Sequence, residues 1–191
     1  MEDEVGCGAV KTGTGHAKGG WEKPLVGTVK VNVDAGFVEG LGMGMGAVCW
    51  ENSGKICWGV AVQREERYEV KVAEAEAVLT GLKEAHRTGY PRVIIESDNI
   101  GVVDDLKQRK QGRSDIHLVY EDIYLICNLF ESVVFRYLRR YYNKVAHEIA
   151  HARPWVYDRR CWVDDLSMYV ADIAYLDLIY LTLWVFIKKT E

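Results

Sequence analysis

The stretch from Val72 to Ile95 constrains the fold of this 191-residue chain more than any other. Ala75, Val78, Leu79, Leu82 and Ala85 recur at helical spacing and form one apolar stripe, which predicts a helix from Val72 to His86 lying on an apolar surface. Gly89-Tyr90-Pro91 ends it. The run that follows, Val93-Ile94-Ile95, does not alternate, as expected of a strand covered on both faces, and this implies a parallel or mixed central sheet.

Upstream, Val29, Val31 and Val33 alternate with Lys30, Asn32 and Asp34, the period-two pattern of a strand with one apolar and one polar face. Apolar runs at 42–50 and 55–62 flank Glu51-Asn52-Ser53-Gly54, residue types that favour a tight reversal, so a hairpin is expected. Gly42, Gly44 and Gly46 also admit a nucleotide-binding loop, but no P-loop lysine accompanies them and a strand fits better. Downstream, Val102, Val103 and Leu106 suggest one helix, and Ile116, Val119, Ile123 and Ile126 another. A strand is expected at 133–138, then a last helix from near Asn143, a predicted N-cap, with Ala146, Ile149 and Ala150 inward and Pro154 beyond its end. The predicted class is α/β: a mixed five-stranded sheet flanked by helices, in the order β-β-β-α-β-α-α-β-α.

Three acids fall at element ends in this scheme: Asp34 late in the first strand, Glu74 in the first turn of the helix and Asp98 just past the buried strand. Sites in open α/β sheets gather at strand carboxyl ends, and acids that converge there repel unless a cation neutralises them. Glu74 rather than Glu76 is expected inward, because positions two apart differ by about 200° around a helix axis. Glu74 borders the apolar stripe; Glu76 heads a polar row with Thr80, Lys83 and Arg87. The competing reading is that these are strand-end or capping acids that hold no metal.

Val31-Asn32-Val33-Asp34, Ala73-Glu74-Ala75, Glu96-Ser97-Asp98-Asn99 and Asn143-Lys144-Val145-Ala146 together resemble type 1 ribonuclease H, especially its plant reverse-transcriptase-like branch. The resemblance runs from about Val26 to Trp155. It implies a ribonuclease H-like fold, with Asp34, Glu74 and Asp98 as catalytic metal ligands. It further implies Mg²⁺, with Mn²⁺ as a substitute, two ions about 4 Å apart acting on the RNA strand of an RNA/DNA hybrid. No small-molecule cofactor is expected. The chain departs from the enzymatic pattern at His147, which stands where a fourth carboxylate is usual, and imidazole suits Mg²⁺ poorly. The segment Arg139-Arg140-Tyr141-Tyr142 also lacks a loop histidine found in many active relatives. The alternative is therefore a hybrid- or RNA-binding module with weak or no turnover.

Arg136, Arg139, Arg140 and Lys144, interleaved with Tyr137, Tyr141 and Tyr142, are the candidate nucleic-acid contacts, cations for phosphates and rings for sugars or bases. A local patch is needed, because 24 basic against 28 acidic side chains leave a net charge of -4 and no overall basic field. His147-Glu148-Ile149-Ala150-His151 also matches the helical H-E-x-x-H pattern of zinc metalloproteases. That minor alternative lacks an obvious third ligand downstream, where only Asp158, Asp164 or Asp165 would serve.

At the ends, residues 1–24 are expected to be a flexible leader, 25–155 the domain and 156–191 an apolar, helical extension suited to packing or to a protein partner. The 168–187 run has the roughly 20 residues of a membrane span, but Asp172 and Asp177 within it argue against one. Five scattered cysteines without a C-x-x-C pair, and no apolar run after a basic start, lead to the expectation of an intracellular, nuclear or cytoplasmic protein that is not secreted.

Overall fold

The computed structural model describes residues 22–38, 42–66, 69–151 and 159–163. Three strands come first, β1 (Val29–Val38), β2 (Gly42–Trp50) and β3 (Ile56–Arg64), paired as an antiparallel meander. The turn between β2 and β3 closes as its residue types require: the Gly54 N–H donates to the Glu51 carbonyl at 2.9 Å, and the Ser53 hydroxyl donates to the Glu51 carboxylate at 2.6 Å. Helix α1 (Val70–Arg87) then crosses to β4 (Arg92–Ser97), which pairs parallel with β1. Helices α2 (Ile100–Lys107) and α3 (Asp115–Cys127) lead to β5 (Ser132–Tyr137), parallel to β4. A 3₁₀ turn (Arg140–Tyr142) and α4 (Lys144–His151) follow. The glycine-rich run at 42–46 is buried strand, not a loop.

Among the described residues the sheet has six strands, in the order β5-β4-β1-β2-β3-β6, where five were expected. The additional strand, β6 (Arg159–Val163), pairs antiparallel with the edge of β3, inside the segment expected to be helical. It carries little strand signal of its own. Its identity comes from the unpaired edge of β3, which offers a ladder of backbone groups, and from side-chain anchors. Trp162 is buried beside Val48, Trp50 and Ala61, while Glu84 of α1, itself buried, accepts from Arg159 and from the Cys161 thiol. Residues 164–191, with the 168–187 run, and residues 1–21 of the expected leader lie outside the described residues. Glu22 is described, and its carbonyl accepts from the Lys30 ammonium. No helix among the described residues is long and apolar enough to cross a membrane.

Both faces of the sheet are covered. Val29, Val31 and Val33 of β1 join Val93 and Ile95 of β4 and the apolar stripes of α1 and α3 in the main core. The alternating residues Lys30, Asn32 and Asp34 were expected on a polar face, yet all three are buried. Lys30 lies beside residues 22–25, its ammonium donating to the Glu22 carbonyl, whereas over Asn32 and Asp34 the cover is α4, which packs Val145, Ala146 and Ile149 against that face of the sheet. Gly46 of β2 permits the close approach: a Cβ there would stand 2.4 Å from the Ala146 carbonyl oxygen and 2.6 Å from the Ala150 nitrogen. Polar groups sealed beneath must then be paired. Lys30 meets Glu96 at 2.9 Å, and the Asn32 carboxamide donates to the same carboxylate at 3.2 Å.

Candidate metal centre and nucleic-acid interface

Strand register brings the first two acids together. In the parallel β1–β4 pair Val33 lies opposite Ser97, so the next residues along, Asp34 and Asp98, stand side by side. β4 ends there, whereas β1 runs on to Val38 paired with β2, so Asp34 is a mid-strand residue left without a neighbour on the β4 side. Asp98 occupies the turn into α2, where the Ser97 hydroxyl accepts the Asn99 N–H at 3.1 Å and the Asn99 side chain caps Val102 N–H at 3.1 Å. Glu74 reaches the same point from α1. The helix starts at Val70, so Glu74 sits two residues further in than expected, in the second turn. Its ligand oxygen and those of Asp34 and Asp98 all lie within 4.8 Å of one another.

Burying Asp34 and Glu74 at such distances from each other and from half-buried Asp98 disfavours the charge on the two buried acids. Burial, then the neighbouring Asp34 and Asp98, push Glu74 up to about 9, against a weaker pull from Arg140 and the Ala35 N–H. Asp34 is pushed up to about 6 by burial and Asp98, with His147 opposing. Glu74 Oε2 is buried and has no hydrogen-bond partner. A buried oxygen left without a donor, within reach of two further carboxylates, is the donor set a hard divalent cation takes.

α4 brings His147 over the same cluster. Its Nδ1 lies 2.7 Å from Asp34 Oδ2, a contact spanning most of the domain in sequence. The helix is held in place by Asn143, whose side chain donates to the Val33 carbonyl at 2.9 Å. Asn143 holds the expected N-cap position, its carbonyl accepting the His147 N–H at 3.0 Å, but its side chain does not cap the helix, and Oδ1 is buried without a partner. Residue-pattern reasoning also missed His151 as a neighbour of Asp34: Asp34, His147 and His151 form a second set of ligand atoms within 4.8 Å. The H-E-x-x-H spacing was the available signal. The third ligand was sought downstream, at Asp158, Asp164 or Asp165, which lie outside the described residues, while the acid that meets the histidines lies upstream in β1.

The basic residues divide by environment. Arg139 and Arg140 are exposed, and Lys144 lies over the Tyr141 ring at 4.4 Å, itself edge-on to Tyr142 at 5.1 Å. These form one basic, aromatic surface beside the acids, close enough for Arg140 to act on Glu74. Arg136 is half-buried on β5, opposite Glu96 in register, with its Nε buried and unpartnered. It belongs to the buried polar layer around Lys30 and Glu96 more than to the exposed surface.

Comparisons with known proteins agree with this geometry. The family model described as reverse transcriptase-like matches residues 32–153. RNase H1 from the halophilic archaeon Halobacterium salinarum superposes with a TM-score of 0.59 at 18% identity, covering 64% of this chain and 94% of that one. The N-terminal RNase H domain of a Mycobacterium tuberculosis protein gives 0.59 at 23% identity, over 64% and 90% of the two chains. LC11-RNase H1, solved in complex with an RNA/DNA hybrid, gives 0.57 at 20% identity, over 63% and 92%. No curated protein matches the chain by sequence. The family match spans well over half of the chain and contains every acid of the cluster, and the solved neighbours share its fold; the chain belongs to the reverse transcriptase-like family and has an RNase H-like fold.

Proposed function

We propose that this domain binds RNA/DNA hybrids and hydrolyses the RNA strand, with Asp34, Glu74 and Asp98 holding Mg²⁺ or, in its place, Mn²⁺. The observation that carries the reading is the convergence of three carboxylates within 4.8 Å, one with a buried oxygen that lacks any donor. The hybrid in the LC11-RNase H1 complex supports the choice of substrate. When bound, divalent cations supply Lewis-acid activation of water and neutralise charge building on the phosphate.

The chain's own residues do the rest. Arg139, Arg140 and Lys144 take backbone phosphates, and the exposed Tyr141 ring offers a face to a sugar or base. His147 Nδ1 hydrogen-bonds Asp34 Oδ2 at 2.7 Å and so fixes the orientation of that carboxylate. Arg140 favours the ionised form of Glu74, the form a cation needs.

A second reading, a hybrid- or RNA-binding module without turnover, is favoured by one observation: an imidazole, not a carboxylate, meets Asp34 from α4. A hybrid-cleavage assay in Mg²⁺ and in Mn²⁺ separates the two. Cutting of the RNA strand that disappears in Asp98→Asn is the expected result. Tight hybrid binding with no cutting in either metal would leave the binding module as the function.

A further inference from the structure

We propose that Asp34, His147 and His151 form a second cation site that takes Zn²⁺, distinct from the all-carboxylate set it adjoins. The two imidazoles stand one turn apart on α4, with ring centroids 4.1 Å apart, and their ligand atoms and one from Asp34 lie within 4.8 Å of one another. Two nitrogens and one oxygen are a donor set for zinc-class ions, whereas three carboxylate oxygens suit hard cations.

Two features show that His151 is prepared for this role. Its Nδ1 donates to the His147 carbonyl at 2.8 Å, which fixes the tautomer and leaves the Nε2 lone pair available, the outer-shell arrangement usual for metal-bound histidine. The ring also occupies space that only glycine leaves open on β1: a Cβ at Gly36 would lie 2.2 Å from His151 Nε2. The third ligand, Asp34, is buried and already 2.7 Å from His147 Nδ1, so the imidazole and the carboxylate are brought together before any cation arrives. Asp34 has two oxygens and can serve both sets. The zinc here lies against β1 of the sheet, with no protease ligand set required.

The site does not rest on cleavage, and one set of proteins distinguishes its failure from that of the nuclease reading. Metal-stripped full-length chain is titrated with Zn²⁺ in competition with a chromophoric chelator, alongside His151→Gln and Asp98→Asn, each checked for a native melting transition. Wild type is expected to bind one tight equivalent, Asp98→Asn to keep it, and His151→Gln to weaken it by at least about tenfold, since even outer-shell changes cost roughly 10–100-fold. Absence of a tight equivalent, equal affinity in His151→Gln, or equal loss in both variants would overturn the site. In wild type, imidazole ¹⁵N resonances of His147 and His151 should move together during the titration; if they stay still, the site is likewise overturned. Loss of Mg²⁺-dependent cutting in Asp98→Asn with zinc retained identifies two separate sites.

Discussion

Glu74 gathers the physics of the centre into one side chain. Its carboxyl is held up to about 9 by burial and by its acidic neighbours, so the folded chain keeps a proton that the unfolded chain gives up near the ordinary value of 4.5. Between those values the unfolded state binds fewer protons, and folding weakens as pH rises. Asp34, held up to about 6 from an ordinary 3.8, adds the same sign over the lower part of that window. Metal-free protein should therefore show a melting temperature that declines from about pH 5 to about pH 9, and both Glu74→Gln and saturating Mg²⁺ should flatten the decline. An unaltered slope in Glu74→Gln, measured by thermal melts across pH, would remove burial of this acid as the cause. Asp34, Glu74 and Asp98 are legible in the sequence because each stands where an apolar pattern stops or turns. His151 is not, because helical spacing pairs it with His147 but says nothing about which distant strand lies beneath.

Among the elements, α1 and β4 are the most legible, since one buries a single stripe and the other both faces, and burial of that kind writes its period into the residues. β6 is obscure for the opposite reason: Arg159 and Arg160 are exposed, and its pairing is set by the edge of β3. The polar face of β1 misleads in the same way, because α4, far along the chain, decides whether Asn32 and Asp34 meet water. That dependence yields a test at Gly46. Its substitute Cβ would meet helix backbone at 2.4 Å, which cannot rotate aside as a side chain would. Gly46→Ala should cost about 1–3 kcal/mol in denaturant unfolding, as overpacking does. It should also lift α4 enough to separate His147 from Asp34; a variant as stable as wild type would mean that α4 is not seated as described.

For the molecule as a whole, a net charge of -4 means that the proposed hybrid binding must come from a small cationic surface set against an unfavourable general field. If Arg139, Arg140 and Lys144 are the phosphate contacts, hybrid affinity should fall with salt at a log–log slope of about -2 to -3, near -0.9 per phosphate neutralised. Arg140→Ala should reduce that slope by about one. A slope near zero would place the binding surface elsewhere. The central claim is that three acids from β1, α1 and the end of β4 hold a divalent cation between them. Crystals equilibrated with Mn²⁺ and measured for anomalous scattering test it most directly. The account predicts a peak within bonding distance of Asp34, Glu74 and Asp98 that vanishes in Asp98→Asn; saturated crystals with no manganese among those three carboxylates would contradict it.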